Sequence, residues 1–350
     1  MKMLVTGGAG FVGSHITEHF IKKGWDVSVF DNLSRSNVYK QNAVKNFNWI
    51  YLSKKYPKVN LIVGDVINYT DLISVSKDID VIIHTAGQVA VTTSLKQPRV
   101  DFSTNVIGTF NVLEIAREMG CDVLFCSTNK VYGENVNKIP VKRESSGYQF
   151  SDKLYSKGIP ENFSLDLCKH SPYGCSKLAS DLYVQEYSHT YGLKTGVFRM
   201  SCIYGERQFG VEDQGWVAWF ILASMLNLPI TIYGDGYQVR DVLFISDLIQ
   251  IFENFITSGI ISNVFNVGGG TNNILSLNGL LKLIEQISGK KTMVSFSDWR
   301  QADQKVYISD ITKIKTLLNW EPKISPEEGV TKIINWIKEN FDLFSRNALF

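Results

Sequence analysis

Tyr173 and Lys177 stand four residues apart in the string His170-Ser-Pro-Tyr-Gly-Cys-Ser-Lys177. On a helix, that spacing sets both side chains on one face. An ammonium beside a phenol favours the phenolate and lowers its pKa towards the working range, so the pair can take a proton from a substrate hydroxyl and return it. The spacing alone also fits an exposed Tyr/Lys pair on any amphipathic helix. What adds weight is Thr128, which closes Cys126-Ser127-Thr128 after an apolar run and supplies a hydroxyl beside the same crevice. A hydroxyl, a tyrosine and a lysine behind a dinucleotide-binding fold make a hydride-transfer site.

The dinucleotide signal is at the other end of the chain, in Thr6-Gly7-Gly8-Ala9-Gly10-Phe11-Val12-Gly13. It reads as Gly8-x-Gly10-x-x-Gly13 or as Gly7-x-x-Gly10-x-x-Gly13. Glycines are needed because backbone N–H groups must approach a diphosphate closely, while the helix that opens at Phe11 and Val12 stabilises the negative charge. Asp31 follows Gly13 by 18 residues at the end of the second strand. A carboxylate there accepts hydrogen bonds from ribose hydroxyls and repels a 2′-phosphate, which favours NAD over NADP. Asn32, Ser34 and Arg35 are assigned to the cofactor with it. Asp65, followed by Val66, either meets an adenine edge or closes a strand-end turn. In His84-Thr85-Ala86-Gly87-Gln88, the small Ala86 and Gly87 let the cofactor pass, and His84 reads as a packed strand-end histidine. Gln88 either reaches cofactor and sugar or satisfies its own loop. Asn105 and Ser127 complete the expected cofactor set, together with Tyr173 and Lys177.

Stepping out from these residues, short β-branched runs alternate with longer amphipathic segments. Strands are expected at Lys2–Val5, Val27–Phe30, Val59–Val63, Val81–His84, Val123–Cys126 and Thr195–Arg199. Helices are expected at Phe11–Lys23, Thr70–Lys77, Arg99–Met119 and Tyr173–Tyr191. Such alternation predicts βαβ units, hence an α/β fold with a Rossmann-type, doubly wound parallel sheet. Residues 1–190 form the expected cofactor domain and 191–350 mostly a smaller substrate domain, with a late strand near Val242–Ile245 returning to the first sheet.

The chain has 350 residues, enough for about two domains, and an ordinary apolar fraction of 44% that excludes disorder. Lys+Arg number 36 and Asp+Glu 34, so no bulk charge draws the protein to nucleic acid or an acidic membrane. Five cysteines (121, 126, 168, 175 and 202) form no CxxC pair and read as reduced thiols. The apolar run Trp216–Leu226 is too short to span a bilayer, and a cytoplasmic location with no metal is expected.

Taken together, TGGAGFVG, the Asp31 strand end, HTAG, STNKVYG, SPYGCSK, YGDGYQVRDVL and Arg300 with Asp303 resemble the extended short-chain dehydrogenase/reductase family of nucleotide-sugar epimerases and dehydratases, over nearly the whole chain. The resemblance implies that Thr128 orients the sugar hydroxyl, Tyr173 is the acid/base, and Lys177 is its partner. It also implies that Arg240 and Arg300 clasp the substrate diphosphate, a role suited to a planar guanidinium; the other reading of either arginine is an ion pair. Asn129 and Lys130 either reach the hexose or cap the strand end. Gln208, Phe209 and Gln214 are expected to wall the nucleotide side, whereas Trp216 and Trp219 read as core or an interface stripe. In this family, helices such as Arg99–Met119 and Tyr173–Tyr191 pair across a two-fold axis, implying a homodimer or homotetramer.

Three reactions compete on this scaffold. Dehydratases of the family carry an Asp-Glu pair after the strand-end Thr, but here Asn129 and Lys130 follow Thr128, so elimination is disfavoured. The glutamate that decarboxylases carry near that position is also absent. Epimerisation needs only the Tyr173 acid/base and NAD. Four longer strings, Ala86–Ser94, Ser127–Gly133, His170–Lys177 and Arg207–Trp219, are similar to those of a subgroup of 2-epimerases acting on CDP-linked deoxyhexoses in O-antigen biosynthesis. That similarity implies oxidation at C2 to a 2-keto intermediate, with NAD recycled at each turnover. The long 142–169 link leaves the nucleotide and the hexose open. A UDP-hexose 4-epimerase, a 4,6-dehydratase and a non-catalytic dinucleotide sensor remain the alternatives.

Overall fold

The computed structural model describes residues 1–35, 44–300 and 303–345. Its centre is a seven-stranded, wholly parallel sheet. Five strands come from the first half of the chain: β1 (Lys2–Thr6), β2 (Asp26–Asp31), β3 (Asn60–Val63), β4 (Val81–His84) and β5 (Asp122–Thr128). They lie in the order β3-β2-β1-β4-β5, followed by Thr195–Met200 and then Ser262–Val267. All four residues of β4 are buried, as are the last six of β5. Such continuous burial suits a sheet with helices on both faces. On one face Leu4, Ile82 and Val123 pack with Val112, Ile115 and Val184, which belong to the helices Gly108–Met119 and Pro172–Tyr191. On the other, Met3, Val5 and Ile83 pack with Ile16 and Phe20 of α1 (Phe11–Lys22) and with Phe252 of Ile245–Thr257. Strand order reverses between β1 and β4, so the ends of these two strands part and open a crevice.

The expected helix Arg99–Met119 is present as a run of Pro98–Phe102, a π-helical turn Ser103–Ile107, and Gly108–Met119. The late strand is placed differently from the expectation. Val239–Phe244, which contains most of Val242–Ile245, stays out of the main sheet and pairs with Cys202–Tyr204, Ile274–Ser276 and Val306–Tyr307. The strand that returns is Ser262–Val267, alongside Thr195–Met200. The main sheet therefore takes two strands from beyond residue 190. An apolar run has the same period whichever neighbour it pairs with, so its pattern does not name its sheet.

The small sheet around Val239–Phe244 and the helices Trp216–Met225 and Pro326–Glu339 share one apolar core through Val242, Val217 and Val330. Trp219 is buried in the core and Trp216 packs against it. Among the described residues no helix is long and apolar enough to cross a membrane.

Candidate active site

β1 passes into α1 through the glycine turn. Gly7 has φ +73°, and a Cβ on it would lie 2.5 Å from the Ala86 backbone nitrogen. A Cβ on Gly13 would lie 2.4 Å from the Gly7 carbonyl oxygen. Both positions are closed to side chains by backbone, which cannot step aside. The first turn of α1 carries no side-chain cap and no acidic residue. Its leading amides therefore have no intrahelical acceptor and face the crevice as a seat for an anion. Gly7, Gly10, Phe11, Val12, Gly13, Asp31, Asn32, Ser34, Arg35, Val66, Ala86 and Gly87 all line this crevice.

At the end of β2 the Asp31 carboxylate accepts from the backbone N–H groups of Ala9 (2.9 Å) and Leu33 (2.7 Å). Burial raises its pKa, and the nearby Asp65 adds to the rise. Asn32 bridges towards Asp65, donating to it at 2.9 Å, and Asp65 also accepts from the Ile67 N–H at 3.0 Å. A cradle that a Cβ would fill, open helix amides and a carboxylate at the ribose end together fit a dinucleotide. Arg35 reaches over the crevice to donate to Gln214.

The long helix Pro172–Tyr191 delivers the other half of the site. Ser171 caps it by accepting from the Gly174 N–H, Pro172 occupies its first turn, and Gly192 at φ +71° ends it. This fixes Tyr173 and Lys177, both buried, against the end of β5. Burial pushes the Tyr173 phenol up to about 12; a hydrogen bond with Thr128 opposes the rise, and the charge of Asp101 adds to it. Burial brings Lys177 down to about 8, and its ammonium lies 4.0 Å from the centre of the Phe125 ring. The expectation that the lysine lowers the phenol's pKa is therefore corrected for the protein alone. Removing water from a phenolate costs more than the surrounding groups return.

Several residues assigned to ligands are engaged by the protein itself. The Gln88 side-chain amide donates to Asp101 (2.7 Å) and to the Ala90 carbonyl (3.0 Å), and its oxygen accepts from the Ala90 N–H at 2.5 Å. This is the arrangement expected of a loop-satisfying amide. Asn105 is fully buried and buckles three elements together, accepting from the Gln88 N–H (2.9 Å) and donating to the Gln88 carbonyl (3.0 Å), Asp101 (3.2 Å) and Ser176 (3.0 Å). Ser127 donates to Asp181 at 2.7 Å, and Arg199 grips the same carboxylate at 2.9 and 3.0 Å. The Ser127 hydroxyl thus belongs to a buried ion-pair network that the sequence did not suggest. His84 bridges Thr6 (2.7 Å) and Thr109 (3.0 Å), and burial holds its pKa down at about 3, as befits a neutral core histidine.

The substrate-side residues divide. Thr128 donates to the Asn129 side-chain oxygen (3.3 Å) and accepts from the Lys130 N–H (3.3 Å), closing the strand end. Arg240 donates to Asp303 at 2.6 Å and to the Val239 carbonyl at 2.8 Å. Arg300 is held elsewhere: it lies 3.2 Å from the Asp213 carboxylate and 3.9 Å from the centre of the Tyr233 ring. Gln208, Phe209 and Gln214, expected on the nucleotide side of the substrate, line the cofactor crevice. The reason is the loop's own path. Arg207 and Phe209 both adopt positive φ (61° and 46°), which turns the segment back over the crevice. Phe209 packs on Phe47 and Trp336, and buried Arg207 pairs with Glu18 at 2.9 Å. Nothing in the residue types announced that turn, because both are side chains that rarely take positive φ.

Over residues 3–268 the chain matches the NAD dependent epimerase/dehydratase family. CDP-paratose 2-epimerase from Salmonella typhi is 40% identical over 96% of this chain and 99% of its own length. UDP-glucuronic acid 4-epimerase from Bacillus cereus, solved with UDP-glucuronic acid and NAD, superimposes with a TM-score of 0.82 at 28% identity, covering 97% of this chain and 100% of that one. UDP-glucose 4-epimerase from Thermotoga maritima, solved with UDP-glucose, gives a TM-score of 0.81 at 30% identity over 97% and 100% of the two chains. The chain belongs to the NAD dependent epimerase/dehydratase family, as an isomerase that takes NAD as its cofactor.

Proposed function

We propose that this isomerase inverts C2 of a CDP-linked 3,6-dideoxyhexose, interconverting CDP-paratose and CDP-tyvelose. The observation that carries the reading is the end of β5: Thr128 meets the Tyr173 phenol, and the next two residues are Asn129 and Lys130. Neither is a carboxylate that could remove and deliver the protons of an elimination. The 40% identity to a CDP-paratose 2-epimerase supports the same substrate class.

Bound NAD⁺ would supply the acceptor and donor of the hydride. Tyr173 takes the C2 hydroxyl proton while Thr128 orients that hydroxyl. Loss of the C2 hydride with that proton leaves a 2-keto sugar. Tyr173 would hand the proton back as the carbon regains its hydride on the other face, which gives the epimer and restores every group. Lys177 would hold the cofactor's ribose. Gly7, Gly10 and Gly13 seat the diphosphate, and Asp31 holds the adenine-side ribose.

The test is incubation of the purified protein with CDP-paratose in D₂O, followed by NMR. Inversion at C2 without solvent deuterium supports direct hydride return; loss of water, or inversion at C4 only, removes the reading. Exposed apolar side chains on two neighbouring helical segments, Phe102 and Phe110 on one and Leu182 and Tyr183 on the other, support a homodimer through these faces. Phe110→Asp should then sediment as a monomer, and unchanged sedimentation of a dimeric wild type would remove this contact.

A further inference from the structure

Lys130 is a charged group at the end of β5 to which the reaction above gives no part. Its backbone is pinned there, because its N–H donates to the Thr128 hydroxyl. Its side chain is largely enclosed, and among the described residues no hydrogen bond or ion pair closes on its ammonium. Burial lowers its pKa, the positive charge of Arg240 lowers it further, and Asp303 and Cys202 pull the other way. Asp303 is already engaged, accepting from Arg240 at 2.6 Å and from the Gln304 N–H at 2.9 Å. Lys130 and Arg240 thus both feel the Asp303 carboxylate, but only Arg240 is bound to it. Surplus positive charge in a partly dry site is costly until an anion joins it.

We propose that Lys130 and Arg240 together seat the sugar-proximal phosphate of the nucleotide diphosphate, and that Lys130 thereby helps select C2 as the reacting carbon. The chemistry of the ring gives the reason, and this step rests on the C2 reading. C2 is bonded to C1, which carries the phosphate, whereas C4 lies across the ring from it. A sugar that presents C2 to Thr128 and Tyr173 brings its phosphate within a few bonds of the strand end. A cation two residues beyond Thr128 is placed to meet it. A sugar that presents C4 carries the phosphate away from Lys130, and Arg240 would be left to meet it from the other domain.

The test titrates NAD-loaded wild type, Lys130→Met and Lys130→Arg with CDP and with CMP, which lacks the second phosphate. In Lys130→Met, affinity for CDP should fall about tenfold or more, the loss of one charge-assisted contact, while affinity for CMP stays put. Lys130→Arg should regain most of the loss. Unchanged CDP affinity in Lys130→Met overturns the proposal, and so does an equal loss for CDP and CMP, which would report a structural role. A CDP-specific loss in a protein that fails to invert C2 of CDP-paratose would uphold the phosphate seat and refute the C2 reading, so the two fail separately.

Discussion

The two walls of the crevice are built on opposite plans. The cofactor wall is backbone: glycines at Gly7 and Gly13 that neighbouring main chain closes to any side chain, amides without intrahelical acceptors, and one carboxylate already fixed by two N–H groups. The substrate wall is side chain: Arg240 bound to Asp303, and Arg300 bound to Asp213. The first wall has its charge complement ready before any ligand arrives. The second holds its cations on the protein's own carboxylates, Asp303 and Asp213. A cofactor kept through turnover suits the first plan, and a substrate that must leave suits the second.

Substitutions at the two walls should therefore differ in kind. Gly13→Val places atoms against the Gly7 carbonyl; the expected outcome is protein without bound NAD and without turnover, read by nucleotide extraction. Retention of NAD in that variant would show that the turn yields. Tyr173→Phe, between the walls, should lower kcat by about 10²–10⁴-fold while bound NAD persists. Full activity would remove Tyr173 as the acid/base. On the substrate wall, Asp213→Ala removes from Arg300 a half-exposed ion pair worth about 0.2–1 kcal/mol and leaves it its Glu212 contacts, so KM should fall by about fivefold at most. A raised KM would mean that Asp213 positions the arginine instead of competing for it.

The smallest effect is on pH. Lys177 titrates at about 8 in the folded protein and at its ordinary 10.5 when unfolded. Between those values the unfolded chain binds more protons, so this group makes the cofactor-free protein more stable as pH rises. Thermal melts of wild type against Lys177→Met, compared across that window, should show the wild type gaining relative to the variant. A constant difference would contradict the depressed value.

The same contrast explains what the sequence could say. The glycine turn, the Asp31 strand end and the Tyr173/Lys177 pair are local patterns, each imposed by one turn or one helix face, and all were legible. Asp181 and Arg199, which hold Ser127, become neighbours only when a strand and a helix pack. The partner of Val239–Phe244, the internal engagement of Gln88 and the backward turn at Gln208 also depend on tertiary path. The resemblance marked Arg240 and Arg300 as phosphate ligands, with an ion pair as the other reading of each, but residue type did not say that Asp303 and Asp213 would be the partners.

The most direct measurement of the central claim is the stereochemical outcome with CDP-paratose in D₂O. The expected product is CDP-tyvelose, inverted at C2, with the original hydrogen retained on that carbon. Deuterium at C2, an altered C4 or a dehydrated product would contradict it.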